Sequence, residues 1–395
     1  MPTRSLSDFS RRAFLGLSAA AAFQIITEPM LAAAARPSSR RPFSKDGVVI
    51  DANENPLGPC QAAREAIAAI IPLGGRYLMN QTQDLEKTFA QIEGLGPDTV
   101  QIFPGSSPPL RFAVLAFTSP HRSYVTADPG FEGGMHAAAV GGARVVKVPL
   151  TKTYAHDVKA MLAAGADAGL FYICNPNNPT GTLTPRSDIE YLVENKPKGS
   201  IVMVDEAYLH FCDAPSTHEL VKAGKDVVVL RTFSKAYGMA GLRCGYAIAR
   251  PDLLEKITDR AGSNFMPVTA VAAADASLKD AGLVPERKRI NAAIRQETFQ
   301  WLDRNGYSYT PSESNCFLLE TRRAGKEVID AMAQQNVFIG RIWPVMPTWV
   351  RITVGTHDEM QQFQAAFRKV MRGTTAFSQR PAVGSSARRH SDLLS

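Results

Sequence analysis

Lys235 stands in the stretch Arg231-Thr232-Phe233-Ser234-Lys235-Ala236-Tyr237-Gly238, and Arg243 follows it by eight positions. A lysine amine can join an aldehyde covalently as a Schiff base. Hydroxyls and a guanidinium can hold a phosphate through charge-assisted hydrogen bonds, and Thr232, Ser234 and Arg243 supply those groups around Lys235. The chemistry suggested is capture of an aldehyde that also carries a phosphate. A lysine on a loop is ordinarily a solvated charge, so this reading depends on its company.

Three more polar groups follow short apolar runs. Asn175-Pro176-Asn177-Asn178-Pro179-Thr180-Gly181 comes after residues 169–174. Its prolines and glycine fix a tight loop from which Asn178 can offer its amide to a ring oxygen, although a plain surface turn has a similar composition. Asp205-Glu206-Ala207-Tyr208 closes residues 201–204. Asp205 can pair with a protonated pyridine nitrogen, which makes that ring an electron acceptor; as a helix N-cap it would do nothing chemical. Tyr208 can donate to the ring oxygen beside Asn178. Gly105-Ser106-Ser107 opens a helix, where backbone N–H groups attract phosphate, and Pro108 and Pro109 fit that helix's first turn. Pyridoxal phosphate carries the aldehyde, the pyridine, the ring oxygen and the phosphate that these residues would meet.

The elements that must position them are short β-rich runs alternating with helices. Strands are predicted at 100–103, 123–126, 144–148, 169–174, 201–204, 227–230 and 244–249, with a helix over 110–117. Such alternation argues for a mostly parallel sheet covered on both faces. Ligands of open α/β sheets bind beyond the carboxyl ends of the strands, which is where the polar groups lie. Past about residue 255 the texture changes. A helix-rich stretch at 269–304, strands at 316–319 and 350–354, and a last helix at 358–371 read as a smaller α+β domain.

The 395 residues are 45% hydrophobic and 21% charged, an ordinary globular composition with room for about two to three domains. The formal charge of +7 is spread along the chain, and no nucleic-acid-binding motif accompanies it. The five cysteines show no C-x-x-C spacing, which argues against a zinc site or a disulfide framework and for buried free thiols. No metal is called for.

Near the start, Ser10-Arg11-Arg12-Ala13-Phe14-Leu15 precedes an apolar run to residue 26 and four alanines at 32–35. A charged start, a short apolar core and an A-x-A end describe a secretory signal, and the paired arginines resemble a twin-arginine signal. A chance Arg-Arg before a surface helix is the alternative. The run is too short to span a bilayer, so the mature protein is expected to have no membrane span. These features predict export in folded form by the twin-arginine translocase and a periplasmic location. Residues 36–46 read as a linker, and the tail 373–395, rich in Ser, Arg and Gly, as disordered.

Taken together, the ordered motifs resemble those of the class I/II aminotransferases, fold type I pyridoxal phosphate enzymes, over residues 48–371. Within them the chain is most similar to the histidinol-phosphate aminotransferase branch. Asn53-Glu54-Asn55-Pro56-Leu57-Gly58-Pro59 resembles that branch's N-terminal substrate-side motif, and Trp349-Val350-Arg351-Ile352-Thr353-Val354-Gly355-Thr356 resembles its C-terminal motif. The resemblance implies a three-layer large domain with a mostly parallel seven-stranded sheet and a smaller C-terminal α+β domain. The expected division is a signal peptide at 1–35, a linker and N-terminal arm at 36–72, the large domain at 73–255, the small domain at 256–372 and the tail.

The resemblance also assigns roles. Lys235 would hold the cofactor and shuttle the proton, Asp205 would pair with the pyridine nitrogen, and Asn178 and Tyr208 would bind the ring oxygen. Ser106, Ser107, Thr232, Ser234 and Arg243 would hold the phosphate. Phe131 would stack on the ring, or simply fill the core. Tyr77 would reach the phosphate of a partner subunit, implying a homodimer with shared active sites, or be an ordinary surface tyrosine. Arg351 would clamp the substrate carboxylate rather than serve a structural ion pair, with Arg341 as a second substrate-anion arginine and Asn55 on the substrate side. Pro108-Pro109, Leu57 and Phe131 depart from the branch's usual residues, and histidine synthesis is cytoplasmic whereas this chain carries an export signal. The implied activity is transfer of an amino group between an amino acid and a 2-oxo acid. A decarboxylase or lyase on the same scaffold, or an exported non-catalytic binding protein, are the other readings.

Overall fold

The computed structural model describes residues 47–262 and 265–372. The signal sequence, the 36–46 linker and the 373–395 tail inferred from the sequence lie outside the described residues. The described residues pack as one unit. Its strands are β1 (Val48–Ile50), β2 (Val100–Phe103), β3 (Ser123–Asp128), β4 (Val145–Pro149), β5 (Ala168–Cys174), β6 (Ile201–Asp205), β7 (Val227–Thr232), β8 (Gly245–Ile248), β9 (Cys316–Glu320), β10 (Val337–Ile339) and β11 (Trp349–Thr353). Seven of them form one sheet in the order β2-β8-β7-β6-β5-β3-β4. β8 runs antiparallel to both neighbours, and the other pairings are parallel.

The central strands are apolar because both of their faces are covered. β5 and β7 are buried along their whole length. Successive side chains go to opposite faces. Phe171 and Ile173 join one core with Val202, Val204, Val227 and Val229; Leu170, Tyr172 and Cys174 join the other with Met203, Val228 and Leu230. Helices Gln61–Ile70, Met79–Ile92, Arg186–Asn195 and Val268–Leu278 contribute to the first core, and Ser107–Phe117, Gly133–Val140 and Pro251–Thr258 to the second. The result is the expected three-layer α/β arrangement of the fold type I enzymes.

A third core gathers Val48, Ile50, Phe299, Leu302, Phe317, Val328, Val350, Ile352, Phe363 and Phe367. It lies around the antiparallel pair β9 and β11, the parallel pair β1 and β10, and the helices Leu283–Arg304, Gly325–Ala333 and His357–Arg372. Packing crosses the expected boundaries at 72 and 255. β1, in the expected N-terminal arm, pairs with β10 in the smaller region. Helix Val268–Leu278, expected in the smaller domain, packs on Gln61–Ile70 of the large core. The stretch read as helical over 269–304 is two helices, separated at 279–282. β10 was not anticipated, because a three-residue strand is too short to show a period of two.

Candidate active site

Strand register brings the polar motifs together. Cys174 is the residue opposite Asp205 in the β5–β6 ladder, so the Asn175–Asn178 loop leaves the sheet beside Asp205. Gly245 pairs with Thr232 on one side and with Phe103 on the other. The loops 232–235, 243–245 and 104–107 therefore meet at one level, at the carboxyl ends of β2 and β7. Below them opens a cavity of about 500 Å³. Ser106, Ser107, Phe131, Asn178, Asp205, Tyr208, Thr232, Ser234, Lys235, Arg243, Arg341 and Arg351, all singled out from the sequence, line it.

Lys235 Nζ donates to the backbone oxygens of Asn53 at 2.8 Å and Ala52 at 3.4 Å and lies 5.6 Å from the Tyr208 ring centroid. Burial, and next the nearby Arg351 charge, bring its amine down to about 8. Asp205 is 4% exposed. It ends a strand and caps no helix; its carboxylate accepts from the Tyr172 hydroxyl at 2.9 Å and the Ala207 N–H at 3.1 Å. Burial nevertheless pushes it up to about 6. Burial likewise raises the Tyr208 hydroxyl, which accepts from Asn53 Nδ2 at 3.0 Å.

At the other end of the cavity Thr232 Oγ1 donates to Ser234 Oγ at 2.9 Å. Arg243 donates to Ser234 Oγ at 3.4 Å, Ala240 O at 2.7 Å and Pro104 O at 3.3 Å, so among the described residues its hydrogen-bond partners are all neutral. Helix Ser107–Phe117 begins here, with Ser106 as its N-cap, and the Ser106 hydroxyl makes no capping bond. Gly105 has φ +94°, and a Cβ there would stand 2.1 Å from Arg243 Nη2. The glycine is what lets the loop and the guanidinium lie against each other.

Arg351, 7% exposed, donates to Asn178 Oδ1 at 2.9 Å and Asp51 O at 2.6 Å, and its Nε has no hydrogen-bond partner among the described residues. Its company is a side-chain amide and a carbonyl rather than a carboxylate, so it is not held in the structural ion pair weighed from the sequence. Arg341 lies half-exposed at the cavity wall and pairs with Glu132.

The sequence profile of the family described as aminotransferase class I and II matches residues 45–367. A histidinol-phosphate aminotransferase of Moorella thermoacetica is 32% identical over 334 residues, covering 83% of this chain and 86% of that one. An aromatic amino acid aminotransferase of Nocardia farcinica is 35% identical over 323 residues, covering 80% and 89%. The crystal structure of histidinol-phosphate aminotransferase from Sinorhizobium meliloti, in complex with pyridoxal-5'-phosphate, superposes with a TM-score of 0.78 at 27% identity, covering 85% and 96%. This chain belongs to the class I and II aminotransferases. The cofactor of this aminotransferase is pyridoxal phosphate, and the cavity fits it. A carboxylate driven up to about 6 by burial makes no ion pair among the described residues, and a protonated pyridine nitrogen could supply the cation. An arginine with neutral partners beside a helix N-terminus suits a phosphate. An amine brought down to about 8 suits an aldehyde.

Two of the expected residues stand apart from the aminotransferase cavity. Asn55 donates to Ala236 O at 3.0 Å and accepts from Leu57 N at 3.1 Å; it ties the 53–58 segment to the loop after Lys235 instead of lining the cavity. Tyr77 is 71% exposed and stacks on Phe265 with centroids 4.6 Å apart. Phe131 both lines the cavity and packs on the second core, so the two readings of it coexist. Sequence reasoning missed Asn53, which has φ +54°, touches Tyr208 and Cys316 through Nδ2 and accepts Lys235 through its carbonyl. It missed Tyr172, which holds Asp205. It also gave no role to Glu206 and Arg231, a buried ion pair at 2.9 Å next in sequence to Asp205 and Thr232. Asn53 stands in the motif that was singled out, but Tyr172 reads as one more apolar strand residue. All five cysteines are buried and free.

Proposed function

We propose that this aminotransferase moves an amino group from an α-amino acid to a 2-oxo acid with Lys235 as the proton carrier, Asp205 facing the cofactor nitrogen and Arg351 on the substrate carboxylate. The observation that carries the reading is a half-buried amine at about 8 sharing one cavity with a buried carboxylate and a buried guanidinium. Pyridoxal phosphate, when bound, supplies the electron sink that lets the bond from Cα to hydrogen ionise. Asp205, fixed by Tyr172 and the Ala207 N–H, would keep positive charge on the ring nitrogen. Asn178 and Tyr208 would bind the cofactor's ring oxygen, and Ser106, Ser107, Thr232, Ser234 and Arg243 would hold its phosphate. Lys235 Nζ would take the proton from the α-carbon of the amino donor and, in the second half of the reaction, would give one to the α-carbon of the new amino acid. Arg351, whose Nε has no partner among the described residues, would donate to the carboxylate.

Borohydride treatment of the cofactor-loaded protein, followed by peptide mapping, tests the lysine; a label at any residue other than 235 overturns the reading. Screening amino acids against the loaded protein tests the reaction. Conversion of the coloured cofactor with release of a 2-oxo acid is expected, and Lys235→Ala should slow it by about 10²–10⁴-fold. Carbon dioxide without oxo acid would favour the decarboxylase reading instead. The relatives named for histidinol phosphate and for aromatic amino acids support a donor with a flat, ring-bearing distal group.

A homodimer with shared sites is part of the same proposal. Its support is that Tyr77 lies outside its own cavity and that Ile71, Leu73, Met79 and Phe265 are also exposed. The paired arginines at 11 and 12 support export through the twin-arginine translocase to the periplasm, which fractionation of expressing cells would check. Arg12→Lys together with Arg11→Lys should leave the protein in the cytoplasm.

A further inference from the structure

Arg341 already has a partner at the cavity wall. Its Nη2 pairs with Glu132 Oε2, and its guanidinium lies 4.5 Å from the centroid of the Trp343 ring. Trp343 is itself fixed: it is 2% exposed and donates its indole N–H to Gly130 O at 3.0 Å. Arg351 lies on the same indole, 5.7 Å from the centroid. One immobile ring thus carries two guanidiniums of different standing. Arg351 is buried and tied to Asn178 and Asp51. Arg341 is half-exposed, and the acid it is paired with is half-exposed too. Glu132 directly follows Phe131, whose ring lines the same cavity.

We propose that Glu132 is a specificity-determining residue. It holds Arg341 at the cavity wall, so that the cavity admits a substrate with an uncharged distal group, and a substrate with a distal carboxylate must displace Glu132 to take the guanidinium. The inference rests on the aminotransferase reading and adds to it how one cavity serves two substrates. Transamination requires this, because donor and acceptor differ in side chain yet occupy the same place in turn. The competition is a close one. An exposed ion pair is weak, so a carboxylate delivered by a substrate already anchored on Arg351 can win it. A planar guanidinium stacked on an indole keeps that contact while its N–H groups change partner.

Calorimetric titration of the cofactor-loaded protein with glutarate and with butyrate tests this, since the two acids differ by the distal carboxylate. Glu132→Gln is expected to tighten glutarate by about three- to fivefold while butyrate stays within about twofold, and Glu132→Ala should do the same. The KM for glutamate should fall by the same factor, and that for an amino acid with an uncharged side chain should hold. The proposal is overturned if glutarate binding is unchanged or weaker in both variants, or if the two acids shift together, as they would if Glu132 merely supported Phe131. A protein that converts amino acids but shows no such split loses this inference alone. Dead-end binding of the two acids remains measurable where turnover is absent, so the outcome does not depend on the reaction.

Discussion

A lysine amine attacks an aldehyde only in its neutral form, and at its ordinary value of about 10.5 roughly one molecule in 3,000 is neutral at pH 7. With Lys235 brought to about 8, roughly a tenth is neutral at that pH. The rate of pyridoxal phosphate capture by the cofactor-free protein should therefore rise with pH around a midpoint near 8 and level off above it, which stopped-flow absorbance would follow. Arg351→Ala should move the midpoint upward, because the Arg351 charge is the second cause of the depression after burial. A midpoint at the ordinary lysine value in the wild-type protein would contradict this account. Asp205 shows the opposite response to the same burial: its carboxyl is pushed up to about 6 rather than down, because burial penalises the charged form of each group.

At the scale of elements, the site depends on how closely the 53–58 segment approaches the turn after Lys235. Gly238 closes that turn by donating to Lys235 O at 3.0 Å. It has φ +70°, and a Cβ there would lie 2.1 Å from Gly58 O, so both conformation and space demand glycine. Gly238→Ala is expected to cost about 2 kcal/mol or more in stability and to slow cofactor capture, since it pushes away the segment whose Asn53 carbonyl holds Lys235. Gly241→Ala, where an added Cβ meets nothing within 4 Å, should stay within about 0.5 kcal/mol. Urea midpoints of the two variants would show the difference.

At the scale of the whole molecule, the proposed shared site can be tested by mixing two defective chains. In a homodimer where Tyr77 serves the partner's cavity, a Lys235→Ala chain and a Tyr77→Ala chain together rebuild one intact site per mixed dimer. Co-refolding them in equal amounts would make about half the dimers mixed, by random pairing of symmetric protomers. The activity recovered should approach a quarter of the wild-type level and exceed that of either variant alone. Activity no higher than the average of the two parents would place Tyr77 outside any shared site.

The sequence by itself determined the strands of the main sheet, the motifs at the strand ends and the lysine, aspartate and arginine on which the proposed chemistry rests. Those features are local. Seven of the predicted strands became the main sheet, because a buried parallel strand announces itself as an apolar run, and ligand-facing loops must follow its carboxyl end. The tertiary structure alone decided which residues support the chemistry from elsewhere. Tyr172 reaches Asp205 from a neighbouring strand, Asn53 reaches Tyr208 from 155 positions away, and Glu132 meets Arg341 across 209. β1 finds β10 in the same way, and helix Val268–Leu278 finds Gln61–Ile70. Contacts between distant segments leave no periodicity in either segment, since each residue is an ordinary one for its own element and takes its role only from what packing sets beside it.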